Sequence, residues 1–354
     1  MIKRLVVFIL CLVIFGCARV QTLNLAQHNY SQRPNHIIWF QVAGFSEEQI
    51  PLLRFNVADA SYRTNLEKID CLGKMWSFNL YELRPLANRS FLSQISGSKN
   101  IKGQCEDFET RSVWDFMSGL GYAISLLENG ANEEVSLQKS LDCKSNKFLN
   151  FEKLRFYRMG PEISLQSTWN DKKIKPFHYQ DSANVVTETL SPGLYYDKSC
   201  RNKICYSSLS SNFKTLWSES IKQQQKTFFL VQDFTFLNGI KKKDLTYAKG
   251  ALLELDRTLA WLAAQNRNDI LVIITGAESI NIEYPKEGKE WAEYERSGKN
   301  IIFKNSSLMS PVLASGAMAE NFCGLFDESE MLKRIIYQPE QKKFNWDVLN
   351  PFSN

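Results

Sequence analysis

Histidine is nearly absent. His28, His36 and His178 are the only three in 354 residues, too few for a site that needs several imidazole ligands. A single long apolar run stands near the N-terminus and no second one follows, which excludes a multi-span membrane protein. No internal period is visible, which excludes repeat arrays, coiled coils and collagen. A net charge of +5 over this length leaves no strongly basic domain, so there is no electrostatic case for nucleic acid. A Gly-rich phosphate loop and a convincing nucleophile elbow are both missing. What the chain does have is material for a core. It is 44% hydrophobic, 12% aromatic and 23% charged, too apolar for a disordered protein and enough for one large α/β domain or two small ones.

The one apolar run is an address. Lys3 and Arg4 precede the unbroken stretch Leu5 to Phe15. Eleven residues at about 1.5 Å each cannot cross a hydrocarbon core of roughly 30 Å, so residues 1–16 read as a signal peptide. The run closes on Val13-Ile14-Phe15-Gly16-Cys17, which resembles a bacterial lipobox and makes Cys17 the expected lipidated N-terminus. Acyl chains at about 0.8 kcal/mol per buried CH₂ would hold the protein on a membrane without a spanning helix. Ala18 at the next position resembles outer-membrane sorting signals of Gram-negative bacteria, so the expected location is the cell envelope, at the periplasmic face or the surface. Loss of Lys3 and Arg4 lowers the net charge from +5 to +3. Residues 17–35 then form the lipidated Cys and a polar tether. Six cysteines remain in an oxidising compartment: Cys71, Cys105, Cys143, Cys200, Cys205 and Cys323. Cys200 and Cys205 flank a short polar loop and are the expected disulfide. The other pairings stay open.

The body, 36–350, alternates apolar β-branched runs with helical patterns. His36–Val42, Thr227–Gln232, Ile270–Thr275 and Pro311–Ala314 read as buried parallel strands. Ser112–Gly121, Tyr247–Ala264 and Glu328–Ile336 read as helices. This predicts a mostly parallel sheet with helices on both faces, interrupted at about 130–225 by a polar, loop-rich insertion.

Four segments in order carry a resemblance: His36-Ile-Ile-Trp-Phe-Gln-Val-Ala43-Gly44, Ser90 to Gly97, Thr227 to Thr275, and Pro311 to Glu330. Their order, spacing and Gly positions resemble the alkaline phosphatase superfamily of phosphatases, phosphodiesterases and sulfatases. The resemblance implies the fold of that superfamily. It also implies a hydroxyl nucleophile activated beside two cations, with Asp and His ligands delivered by strand ends. At the matching positions this sequence departs from the pattern. Ala43 stands at the first carboxylate and Ala87 at the nucleophile. Asn238 and Lys242 replace a carboxylate-and-His pair, Ala277 and Glu278 replace the Asp-His pair, and Asn305 stands at the late His. The expectation is therefore a scaffold without metal, cofactor or catalytic residues: a pseudoenzyme that binds a protein partner or a small polar ligand. Asp233, Lys242 and Glu278 are the cleft candidates. The alternative is a phosphate- or sulfate-ester hydrolase with an atypical oxygen-ligand site around Asp233 and Glu278, with Glu254 as a possible third carboxylate. Ser90, Ser93 and Ser96 are expected in surface or capping roles. Trp39, Trp76, Trp114 and Trp261 are expected in the core, and Lys241 to Lys243 as a solvated charge run.

Overall fold

The computed structural model describes residues 33–54, 57–59, 61–108, 112–130, 154–159, 176–178, 193–196, 209–223, 226–283, 289–290, 293 and 302–336. Cys17, Cys143, Cys200 and Cys205 lie outside the described residues.

Three strands form the centre: β1 (His36–Ala43), β7 (Thr227–Asp233) and β8 (Ile270–Ala277). Every residue in all three is buried, which is why they read as continuous apolar runs rather than as alternations. Outward from them lie β2 (Cys71–Trp76), β3 (Ala123–Asn129), β4 (Leu154–Met159), β5 (Pro176–His178), β6 (Gly193–Tyr196), β11 (Met309–Gly316) and β12 (Gly324–Asp327). Together they make one ten-stranded sheet in the order β12-β2-β11-β8-β1-β7-β3-β4-β6-β5. A separate hairpin pairs β9 (Ile280–Glu283) with β10 (Ile302–Ser306). The described parts of 130–225 are thus three strands at one edge of the sheet and one helix.

All neighbouring pairs in the large sheet are parallel except those of β11, which runs antiparallel to β8 and to β2. This corrects the reading of Pro311–Ala314 as a parallel strand. A strand buried on both faces has the same apolar sequence in either direction, so composition does not encode its sense.

Helices cover both faces: α1 (Ala87–Ser96), α2 (Val113–Gly119), α3 (Leu209–Gln223), α4 (Thr235–Lys241), α5 (Leu245–Ala264) and α6 (Met331–Ile336). On one face Ile38, Phe40, Phe229 and Val231 share a core with Phe213 and Trp217 of α3 and Leu252 and Leu255 of α5. On the other, Ile37, Trp39, Phe228 and Leu230 share one with Trp114 of α2 and Met331 and Ile335 of α6. The helix starts follow local chemistry. Ser112 and Asp115 form a capping box for α2, and the Asp244 side chain accepts from Tyr247 N at 2.9 Å to open α5. The expected helix Glu328–Ile336 begins as one 3-10 turn, Glu328–Glu330, before α6.

Other expectations are corrected. Trp76 is 37% exposed, because β2 alternates buried and exposed residues and Trp76 falls on the outer set. Ser90 and Ser93 are fully buried, since α1 is packed between the sheet and the turn at Glu328. Cys71, at the start of β2, is joined to Cys323, just before β12, across 5.4 Å between Cα atoms. Sequence spacing gave no hint of this bond, because its partners are 252 residues apart. Among the described residues no helix is long and apolar enough to cross a membrane.

Candidate functional site at the carboxyl ends of the strands

Parallel strands bring their carboxyl ends to one edge, where open α/β sheets place ligands. Here the register sets Ala43 of β1 directly beside Ala277 of β8, and Asp233 of β7 beside Val42 and Asn129. Gly44 then turns the chain with φ of +81°. A side chain at this position would press on the Leu237 backbone at 3.2 Å, so the turn needs glycine on both counts. The N-terminus of α1, at Ala87, faces the same edge. Ala43, Ala87 and Ala277, all fully buried, present only methyl groups.

Glu278 is the residue that the fold puts to use. Its backbone has φ of +48°, a left-handed conformation uncommon outside glycine. Its side chain crosses from the end of β8 to the start of α1, where Oε2 accepts from Ala87 N at 3.0 Å. Oε1 lies 3.2 Å from Lys241 Nζ. Leu86, the residue ahead of α1, has no side-chain group to cap the helix. Glu278 supplies that cap from a distant strand, and a carboxylate there is favoured by the free N–H groups and the helix dipole. A helix N-terminus is a ready anion site, and this one is filled by the chain's own anion. Glu278→Gln keeps the length and removes the charge. It should lower unfolding free energy by about 1 kcal/mol in urea titrations. Lys241→Met should cost less, about 0.5 kcal/mol, because Lys241 is half exposed. Equal losses from the two would place the interaction in the ion pair instead of the cap.

The remaining candidates do not join it. Asp233 is wholly buried and committed to the junction of β3, β7 and α4. Its Oδ1 accepts from Asn129 Nδ2 at 2.9 Å and from Thr235 N at 3.0 Å. Burial holds its pKa above the ordinary value, against the downward pull of these donors and with a small contribution from the charge of Glu254. Asn238 donates to Gly130 O at 2.7 Å in the same junction. Lys242 sits 5.9 Å above the Tyr247 ring, so Lys241, its neighbour in the charge run, is the lysine that reaches Glu278. Glu254 accepts from Ser210 N at 3.3 Å at the start of α3 and pairs with Arg257. Asn305 lies on β10, outside the ten-stranded sheet. His36 is at the opposite edge. Burial lowers its pKa, the charge of Arg267 lowers it further, and Asp269 opposes both. Among the described residues no three His, Cys, Asp or Glu side chains come together as a metal group.

Beneath the edge lies a buried network that sequence reasoning missed. Gln232 Nε2 donates to Gln41 Oε1 at 2.8 Å, and Gln41 Nε2 donates to Gln94 Oε1 at 3.0 Å. Thr275 Oγ1 also donates to Gln94 Oε1, at 2.8 Å, and accepts from Trp39 Nε1 at 2.9 Å. Gln94 Nε2 ends on Gly276 O at 3.1 Å. The network is neutral, and it locks α1 to three strands. Its signal was available, since Gln41 and Gln232 interrupt otherwise apolar strand runs. A second buried group, Glu328, receives a hydrogen bond from Ser90 Oγ.

No family model matches the sequence, and no curated protein matches it. Solved structures do. The alkaline phosphatase from the Antarctic bacterium TAB5 is 14% identical, with a TM-score of 0.61 over 86% of this chain and 98% of that one. The alkaline phosphatase of Thermus thermophilus is 11% identical, with a TM-score of 0.60 over 90% and 94%. The cold-active enzyme of Shewanella sp. is 11% identical, with a TM-score of 0.59 over 85% and 98%. The chain therefore has an alkaline-phosphatase-like fold.

Proposed function

We propose that this protein is a bacterial envelope lipoprotein, anchored through Cys17, in which an alkaline-phosphatase-like scaffold serves binding and not hydrolysis. The observation that carries the reading is Glu278 seated on the Ala87 amide. In that fold the start of α1 is where the resemblance puts the nucleophile, and here the position has a methyl group and an internal carboxylate. The residues present do not fit the pair of cations the resemblance implies. Ala43, Ala87 and Ala277 have no donor atoms, Asp233 accepts from Asn129 and Thr235, and Glu278 is held by Ala87 and Lys241.

Protein purified from Ala18 onward without chelator should contain substoichiometric zinc by elemental analysis. It should leave p-nitrophenyl phosphate, its diester and its sulfate intact with added zinc or magnesium. Stoichiometric zinc with turnover that Asp233→Ala abolishes would establish the hydrolase alternative instead. For the anchor, Cys17→Ala should lose palmitate labelling and move the protein from the membrane fraction to the soluble one. An unchanged fraction without label would remove the lipoprotein assignment.

A further inference from the structure

Half of the twelve large apolar side chains that stay exposed among the described residues gather at one end of the molecule. β2 runs parallel to β12 and antiparallel to β11, which itself opposes β8. The carboxyl end of β2 therefore lies at the same edge as Ala43 and Glu278. Trp76 ends that strand, and Leu308 precedes β11 beside it, with Ser77 N donating to Leu308 O at 2.9 Å. The loop that follows β2 carries Leu80, Tyr81, Leu83 and Leu86 and leads straight into Ala87. Leu80 and Leu83 are 68% and 74% exposed.

The loop is held in shape. Asn79 Oδ1 accepts from Tyr81 N at 2.8 Å and Glu82 N at 2.7 Å. Leu80 N donates to Lys99 O at 3.0 Å, and Arg89 neutralises Glu82. With its backbone fixed and its one acid paired, the loop points leucines outward beside cations. Lys102 Nζ lies 5.5 Å over the Tyr81 ring. Arg84 is exposed.

We infer that this edge docks on an anionic lipid bilayer. Aliphatic tips with an interfacial tyrosine and a cationic rim suit the boundary between headgroups and acyl chains. Trp76 and Tyr81 are of the types that gather at membrane–water interfaces, and the other four apolar side chains are leucines, which protein–protein hot spots under-use. The inference goes beyond the proposed anchor and does not depend on it, although the two are compatible. The strand ends that carry Glu278 would then face lipid headgroups.

The chain from Ala18 onward keeps every described residue and carries no acyl group, so it separates this inference from the anchor. It should float with vesicles of phosphatidylethanolamine and phosphatidylglycerol and not with pure phosphatidylcholine. The doubly substituted Leu80→Asp, Leu83→Asp chain should bind on the order of a hundredfold more weakly, with an unchanged thermal midpoint because both side chains are solvent-facing. Arg84→Glu should cost about fivefold or more and flatten the salt dependence. Wild-type protein that stays at the bottom with anionic vesicles would overturn the inference, as would a double variant that floats like wild type. A wild-type dimer that the double variant disperses, without lipid binding, would assign the edge to a second copy of the chain and also overturn it.

Discussion

Glu328→Gln should stabilise this protein by about 3–5 kcal/mol at pH 9 and by almost nothing at pH 4. Glu328 is completely buried, and burial pushes its carboxyl up to about 8 from 4.5, against the downward pull of the Ser90, Ser93 and Ser77 hydroxyls. The charge of Asp327 adds to the rise, and Lys99 pairs with Asp327 at 2.9 Å. The sign follows from which state holds the proton. Below about pH 4.5 the group is protonated both folded and unfolded and contributes no difference. Between about 4.5 and 8 the unfolded chain releases the proton while the folded one keeps it, so stability falls as pH rises. Above 8 both states are ionised and the full cost remains, at about 1.4 kcal/mol for each unit of separation. Urea titrations at pH 4, 7 and 9 should show a steep decline for wild type and a shallower one for Glu328→Gln. Parallel curves would mean that Glu328 is ionised in a compensated site. Glu328→Ala should destabilise at every pH, since it leaves Ser90 without its acceptor and opens a cavity.

Removing the Cys71–Cys323 bond should cost about 3–5 kcal/mol. The bond closes a loop of 252 residues, and in the chain-entropy treatment so long a loop brings the stabilisation to about 5 kcal/mol. Replacing both cysteines by alanine should lower the thermal midpoint by roughly 4–7 °C. It should also expose the β2–β12 edge to proteolysis first, because β12 has only four residues and β2 as its one neighbour in the sheet. The same loss should follow expression in a reducing cytoplasm. Equal midpoints with and without reductant would show that the bond does not contribute in solution.

Much of this molecule was legible from residue order. The central strands announce themselves because burial on both faces demands unbroken apolar runs, and β1, β7 and β8 were found within two residues of their ends. The alkaline-phosphatase-like fold followed from segments in sequence, although identity to the solved structures is only 11–14%. That Ala43, Ala87 and Ala277 bring no donor atom to the strand ends could also be read directly, because it is a property of the residues themselves.

Other features depend on distance in space between residues far apart in the chain. The direction of β11, the exposure of Trp76 and the burial of Ser90 and Ser93 are set by neighbours contributed from elsewhere. The Glu278 cap spans 191 residues, and it names Lys241 over the adjacent Lys242 because helical geometry turns successive side chains about 100° apart. Sequence by itself determined the core strands, the helical cover and the kinds of side chain that stand at the strand ends, since each is written in local pattern or side-chain identity. Only the tertiary structure decided where the remaining charges rest, because a carboxylate in a low-dielectric edge takes its role from whichever donor the fold brings within about 3 Å.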